Sequence, residues 1–171
     1  MPCDIRHAHA DEYFLLPDIE RSASQRFSAI GGLGPVAEDE PDSPEFVAAA
    51  GRCGAVFVAA QGRDPVGYVI AGFLDRTIYI YDLAVLEGHG RRGLGAALVE
   101  EVCQFARRER QTAVTLSTFT DVPWNGPFYL RLGFRYLRRE EWTPALHVIR
   151  LREIDKKLPM ERRSFMRKEI R

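Results

Sequence analysis

One segment near the middle of the chain joins a buried strand to a glycine-rich turn and a helix. Thr77–Val85 is almost continuously apolar, aromatic and β-branched, which is typical of a central strand covered on both faces. The turn Gly88–Gly95 follows it. Apolar residues then recur on one helix face, at Leu94, Leu98, Val102 and Phe105. A strand, a turn and a helix in this order require a sheet with helices packed against it.

The flanking segments predict the rest of that sheet. Two β-rich runs, Ala55–Ala60 and Val66–Leu74, precede the central strand and are separated by short turns, so we expect three successive antiparallel strands. Thr112–Phe119 reads as a strand after the helix. Because a helix connects it to the central strand, it should run parallel to that strand.

The remaining elements complete an α+β fold in one domain, residues 1–171: a central, mixed, mostly antiparallel sheet with one parallel βαβ unit, flanked by helices. Ile30–Pro35 and the acidic run after it read as a loop. The other elements are a strand at Asp4–Ala8, a helix at Ala10–Phe27 kinked at Pro17, helices at Glu45–Ala50 and Pro144–Asp155, a short helix capped by Asn125 and ended by Gly133, and strands at Phe134–Glu141 and Arg163–Ile170.

Composition excludes several classes of protein. The 171 residues include 24 Lys+Arg and 24 Asp+Glu, and a net charge of zero argues against a nucleic-acid binder. No apolar run approaches the ~20 residues of a membrane span, and residues 1–10 do not resemble a signal peptide. The three cysteines have neither disulfide nor metal spacing, so we expect reduced thiols, no metal and a cytoplasmic protein.

The balanced charge conceals two opposed parts of the chain. Residues 1–64 contain 11 acidic and 5 basic residues, whereas residues 65–171 contain 13 acidic and 19 basic residues. The acidic residues cluster in one loop, at Glu38, Asp39, Glu40, Asp42 and Glu45. A solvated surface accounts for such clusters, and attraction of a cation is the functional alternative.

The turn Gly88–Gly95 is typical of a phosphate-binding site. Its backbone N–H groups and the following helix N-terminus converge, glycines admit an anion to the backbone, and Arg91 and Arg92 add positive charge. Gly88-x-Gly90-x-x-Gly93 also satisfies the dinucleotide fingerprint, but two antiparallel strands precede it and only one βαβ unit is present. A P-loop is excluded because no Gly-Lys-Ser/Thr follows.

Two motifs resemble those of the GCN5-related N-acetyltransferase (GNAT) superfamily. Tyr81–Val85 followed by Arg91–Leu98 is similar to motif A, and Asn125–Phe134 is similar to motif B. The order of elements also agrees over essentially the whole chain. The resemblance implies a GNAT-like fold and an enzyme that uses acetyl-CoA as co-substrate.

The resemblance also implies the residues that hold acetyl-CoA. The backbone of Leu83, Ala84 and Val85 would pair with the pantetheine arm of the cofactor, and Asn125 would contact the same arm. Phe128 would either line the pantetheine channel or pack in the core. Gly90 stands where the superfamily has Arg or Gln, so a side-chain contact is missing there. The residues expected around the pyrophosphate are Gly90, Arg91, Arg92, Gly93, Leu94, Gly95 and Ala96.

Two residues are candidates for proton transfer. Tyr129 matches the general acid of the superfamily, and its alternative role is a packed aromatic residue. Asp82 is a carboxylate in an otherwise apolar strand, where it either acts as the base or satisfies backbone N–H groups. Glu20 and Asp121 are weaker candidates for the base.

The resemblance predicts acetyl transfer to a primary amine of a small molecule or peptide, by direct attack. The acidic loop would favour a cationic acceptor. Two other functions stay open on sequence alone: a nicotinamide-dependent oxidoreductase that uses the literal fingerprint, and a non-catalytic acyl-CoA-binding regulatory module. The resemblance also leaves open a homodimer paired through the last strands.

Overall fold

The computed structural model describes residues 3–171, in which a seven-stranded sheet has the order β1-β2-β3-β4-β5-β7-β6. All neighbouring strands are antiparallel except β4 and β5. The strands are β1 Asp4–His7, β2 Gly54–Gln61, β3 Asp64–Leu74, β4 Thr77–Val85, β5 Ala113–Phe119, β6 Arg135–Tyr136 and β7 Arg163–Glu169.

Helices cover both faces of this sheet. The α-helices are α1 Leu16–Ser24, α2 Gly34–Ala37, α3 Pro44–Cys53, α4 Leu94–Arg108, α5 Gly126–Arg131 and α6 Pro144–Asp155. Short 3-10 segments lie at Ala10–Leu15, Gln25–Ala29, Glu87–His89, Arg139–Glu141 and Met160–Arg162. Within residues 3–171, no helix has the length and apolar character that crossing a membrane requires.

The sheet and its parallel unit confirm the predicted fold class. β2, β3 and β4 are successive antiparallel strands, and α4 connects β4 to the parallel strand β5. Apolar side chains of α4, among them Leu98 and Val102, pack on one face of the sheet. Leu16 and Ile19 of α1 and Val47 of α3 pack on the other face.

The prediction of a strand over Phe134–Glu141 was wrong except at two residues. Only Arg135 and Tyr136 pair with β7. The carboxylate of Glu141 accepts a hydrogen bond from the backbone N–H of Arg138 at 2.9 Å and forms an ion pair with Arg135 at 2.8 Å. These local contacts turn the chain into a 3-10 segment and away from the sheet.

The N-terminal helical region also differs from the prediction. Residues 10–29 are helical throughout, but 3-10 segments flank α1, and Pro17 lies in the first turn of α1 instead of kinking a longer helix. Proline suits that position because its missing N–H has no helical partner there. The predicted loop after Ile30 contains the short helix α2.

A bulge in β4 changes which way its side chains point. Ile70 of β3 pairs with Asp82 and Ala71 pairs with Ile80, so Tyr81 is an extra residue without a partner in β3. Regular alternation would place Asp82 on the face of Ile80, beneath α4. The bulge transfers it to the face of Ile70, beneath α1 and α3. The predicted burial of β4 therefore holds for Thr77–Ile80 and fails at Tyr81, which is 42% exposed.

The parallel strands β4 and β5 separate part-way along their length. Their pairing runs from Thr77 and Ala113 to Ile80 and Leu116 and then stops. Beyond this point β5 continues to pair with β7, and β4 continues to pair with β3. The edge of β4 from Asp82 to Val85 that faces β5 is consequently left without a strand partner.

Gly54 provides a test of the packing at the start of β2. A Cβ atom there would collide with the backbone carbonyl of Ala71 in β3, which cannot rotate away as a flexible side chain would. We expect Gly54→Ala to lower the free energy of unfolding by about 1–3 kcal/mol, the usual cost of overpacking. Urea denaturation would measure it. Gly31→Ala is the control, because nothing lies within 4 Å of a Cβ at that position. Equal stability of the two variants would contradict the packing described.

Candidate active site

A cavity of about 410 Å³ opens where β4 and β5 separate. The ends of these strands form its floor, and side chains from α1, α5 and α6 form its walls. Asp82, Tyr129 and Asn125, three of the residues singled out from the sequence, all line it.

Three carboxylates meet on one wall of the cavity. One oxygen each from Glu20, Asp42 and Asp82 lies within 4.8 Å of the other two. We call these three residues the acidic cluster. The hydroxyl of Tyr68 hydrogen-bonds to Asp82 and lies 3.3 Å from a carboxylate oxygen of Glu20. The backbone N–H of Asp42 donates to the same oxygen of Glu20 at 3.0 Å.

The acidic cluster retains protons more tightly than isolated carboxyls do. Burial raises the pKa of Glu20, and the nearby charge of Asp82 raises it further. Burial also raises the pKa of Asp82, although the hydrogen bond from Tyr68 opposes this. The single hydroxyl proton of Tyr68 can serve only one carboxylate at a time. Since like charges this close disfavour full ionisation, the three acids share protons near neutral pH.

Tyr129 faces the same cavity from α5. Its side chain is only 6% exposed and packs edge-on against Phe128 and Phe134, at centroid distances of 5.0 and 5.5 Å. Within residues 3–171 its hydroxyl has no hydrogen-bond partner. Burial, and then the charge of Asp82, raise the pKa of Tyr129, so this phenol keeps its proton at neutral pH.

The glycine-rich turn presents free backbone donors at the start of α4, and residues 88–96 do not line the cavity. Gly93 adopts a left-handed conformation, φ 80°, which glycine tolerates without strain. The first helical hydrogen bond runs from the N–H of Ala97 to the carbonyl of Gly93 at 3.0 Å. The N–H groups of Leu94, Gly95 and Ala96 therefore have no helical acceptor. Arg91 and Arg92 are exposed, and neither forms an ion pair within residues 3–171.

The two sequence motifs meet at Gly95. A Cβ there would lie 3.4 Å from the ring of Phe128, so the start of α4 packs closely on α5. Phe128 is partly buried against the core on the α4 face of the sheet. Asn125 begins α5 through its backbone carbonyl, which accepts from the N–H of Tyr129 at 3.0 Å. Its side chain makes no capping bond and instead donates to the carbonyl of Trp124 at 3.2 Å.

The free edge of β4 carries backbone groups without a strand partner, and of its residues Leu83 and Ala84 line the cavity whereas Val85 does not. The N–H of Leu86 bonds to the carbonyl of Val66 in β3 at 2.9 Å. Backbone groups alternate along a strand, so the N–H of Ala84 also faces β3, and those of Leu83 and Val85 face the gap toward β5.

Other candidates from the sequence lie elsewhere. Asp121 forms an ion pair with Arg162 at 2.9 Å and is half-exposed, so it is outside the cavity. In the acidic loop only Asp39 and Asp42 line the cavity, whereas Glu38, Glu40 and Glu45 do not.

Sequence reasoning missed Tyr68 and did not place Glu20 next to Asp82. Tyr68 carries the one side-chain hydroxyl of β3 and is 1% exposed, which is a signal for a buried hydrogen bond. The sequence did not show that Asp82 is the hydrogen-bond partner of Tyr68, because the bulge at Tyr81 decides which face of the sheet Asp82 occupies.

A sequence model described as the acetyltransferase (GNAT) family matches residues 16–134. This span includes both motifs, the bulge and the acidic cluster. The chain belongs to the GNAT family.

One curated relative of this GNAT chain is N-acetyltransferase 8F1 of Rattus norvegicus, which is 30% identical over 112 residues. The match covers 62% of this chain and 51% of the relative, so the chain spans about half the length of that protein.

Two solved structures show the same GNAT fold. The PaiA N-acetyltransferase from Thermoplasma acidophilum, in complex with coenzyme A, superposes with a TM-score of 0.73 at 13% identity, over 99% of each chain. The ribosomal-protein-S18-alanine N-acetyltransferase from Escherichia coli gives a TM-score of 0.68 at 17% identity, over 98% of this chain and 94% of that chain.

The acidic cluster predicts a pH-dependent stability. The pKa of Glu20 is higher in the folded protein than the ~4.3 of an unfolded chain, so its stabilising contribution is complete below about pH 4. That contribution is lost as the pH rises through the folded-state pKa. We therefore expect Glu20→Gln to be more stable than the parent chain at pH 9, with a smaller difference at pH 5, in urea denaturation. Glu40→Gln, in the exposed acidic loop, should show no such trend. A parent chain as stable at pH 9 as Glu20→Gln would contradict the raised pKa.

Proposed function

We propose that this chain transfers the acetyl group of acetyl-CoA to a primary amine by direct attack. One observation carries the proposal: a proton-sharing acidic cluster and the hydroxyl of Tyr129 face the same cavity at the free edge of β4. This arrangement supplies a proton acceptor and a proton donor on either side of one reacting centre.

The residues along the free edge of β4 and at the start of α4 fit acetyl-CoA. Free N–H groups of Leu94, Gly95 and Ala96, together with Arg91 and Arg92, suit a pyrophosphate. The unpaired edge at Leu83–Val85 suits an extended arm with amide groups, which would take the place of a missing strand. Gly90 contributes no side chain, so the backbone donors and the two arginines must hold the phosphates. Acetyl-CoA supplies a thioester whose acetyl group an amine can attack.

The acidic cluster binds the acceptor as an ammonium ion and removes its proton. An alkylammonium of pKa near 10 must lose a proton before its nitrogen can attack. Buried carboxylates attract that cation, and Asp82, or Glu20 through Tyr68, accepts its proton. Of the three, Asp82 lies on β4 beside the free edge, so we assign it as the base.

The backbone and Tyr129 complete the transfer. A carbon–nitrogen bond forms as the carbon–sulfur bond breaks, and the N–H groups of Leu83 and Val85 stabilise the negative charge that develops on the carbonyl oxygen. Tyr129 donates its proton to the departing sulfur. Its raised pKa makes the resulting phenolate short-lived, so a proton from solvent or the acidic cluster restores the hydroxyl.

No observation favours the two alternatives. The fingerprint Gly88-x-Gly90-x-x-Gly93 follows β4, the fourth strand of a mostly antiparallel sheet, and so lacks the first parallel strand that a dinucleotide fold requires. A non-catalytic binding module needs neither a buried acidic cluster nor an unpaired phenol in its cavity.

The state of the cysteines bears on the cellular setting. Cys3, Cys53 and Cys103 are all free thiols, which suits the reducing cytoplasm. A homodimer and a single domain over residues 1–171 stay predictions from sequence.

Removal of the Tyr129 hydroxyl should slow turnover. We expect Tyr129→Phe to lower kcat about 100-fold, the usual contribution of one general acid, because the sulfur would leave without a proton. The dissociation constant for acetyl-CoA should change less than threefold. Thiol release and isothermal calorimetry would measure the two quantities. Tyr136→Phe, outside the cavity, is the matched control, and unchanged turnover in Tyr129→Phe would rule out the assigned role.

Tyr68 should control the pH at which the base works. Its hydrogen bond lowers the pKa of Asp82, so Tyr68→Phe should raise that pKa. We expect the acid limb of kcat/KM for the amine to move to higher pH in this variant, whereas Asp82→Asn should lose at least 100-fold in kcat/KM across the range. A Tyr68→Phe profile superimposable on the parent profile would show that Asp82 is not the titrating base.

A further inference from the structure

Two basic side chains stand where α6 meets the cavity. Arg152 lies in the last turn of α6, Lys156 is the residue that ends the helix, and both line the cavity together with Glu153. Two neighbouring arginines share one carboxylate, since Arg150 and Arg163 both form ion pairs with Glu153, at 3.4 and 2.8 Å. Within residues 3–171, by contrast, neither Arg152 nor Lys156 forms an ion pair or a side-chain hydrogen bond.

These two free cations face the acidic cluster. Burial raises the pKa of Asp42, Asp82 and Tyr81. The charge of Lys156 opposes this rise at Asp42 and Asp82, and the charge of Arg152 opposes it at Tyr81. No pair closes to the 4.0 Å of a salt bridge, although the opposite charges share one cavity. Both sets of charges line the same cavity of about 410 Å³, so a ligand that fills it would meet both.

Two aromatic side chains border the same space. Phe46 of α3 and Tyr81 of β4 pack edge-to-face with centroids 6.0 Å apart, and they are 38% and 42% exposed. Both line the cavity. The ring of Tyr81 packs against Phe46 and Tyr79 and is partly exposed, so it offers an apolar surface to a ligand in the cavity.

We propose that the acceptor is a zwitterion: a primary amine that also bears a carboxylate and an apolar side chain, as in an apolar amino acid. This rests on the proposed function. The acidic cluster receives the ammonium, Arg152 and Lys156 bind the carboxylate, and Phe46 and Tyr81 contact the side chain. A polyamine fits less well, because its second positive charge would meet Arg152 and Lys156.

A matched pair of acceptors tests this assignment. L-phenylalanine and 2-phenylethylamine share the ring and the amine, and only the first carries a carboxylate. We expect thiol release from acetyl-CoA to give a kcat/KM at least tenfold higher for L-phenylalanine. In the double variant Arg152→Ala/Lys156→Ala, compared at the pH optimum of each enzyme, this preference should disappear, because kcat/KM falls much more for L-phenylalanine than for 2-phenylethylamine. Arg63→Ala removes a positive charge on the β2–β3 turn and is the control.

The other outcomes separate the two proposals. Equal use of both amines by the parent chain, a preference for spermidine, or an equal loss for both amines in the double variant would overturn the zwitterion assignment while acetyl transfer stands. Calorimetric binding of L-phenylalanine that depends on Arg152 and Lys156, without thiol release from any amine, would support the subsite and overturn the proposed function.

Discussion

The bulge at Tyr81 is the constraint on which the site depends. One extra residue in β4 moves Asp82 from the face of Ile80 to the face of Ile70. On that face Tyr68 can reach it, and α1 brings Glu20 alongside. Without the bulge, a carboxylate would lie among the apolar side chains beneath α4, where it would have no polar partner and a large desolvation cost.

The acidic cluster is a site where stability and chemistry conflict. Three carboxylates within 4.8 Å repel one another once ionised, and burial in the cavity weakens the shielding by water. Tyr68 and the backbone N–H of Asp42 offset part of this cost by hydrogen bonding. The remaining strain gives the cluster its affinity for a proton or an ammonium, so the same interactions that weaken the fold attract the substrate.

The sequence predicted the sheet better than it predicted the site. Strands β2 to β5 could be recognised because apolar, β-branched runs alternate with short turns and one amphipathic helix. Phe134–Glu141 was misassigned because a carboxylate-to-backbone bond, which periodicity does not reveal, turns the chain at Arg138.

The acidic cluster itself could not be assembled from the sequence. Its members come from α1, from the loop after α2 and from β4, and only the bulge brings Asp82 toward the other two. The place of Arg152 and Lys156 could not be inferred from the sequence either, since their relation to the cavity depends on how α6 packs on Tyr79 and Phe165.

The early end of the β4–β5 pairing has a mechanical consequence. Strands β1 to β4 and strands β5 to β7 form two halves of one sheet, and four residue pairs, Thr77–Ile80 with Ala113–Leu116, join them along the strand. A ligand lying in the gap would contact both halves of the sheet and oppose their separation. Because the gap exists only in the folded chain, ligand binding would raise the free energy of unfolding. Ligand binding in the cavity and the stability of the sheet are therefore thermodynamically coupled in this molecule.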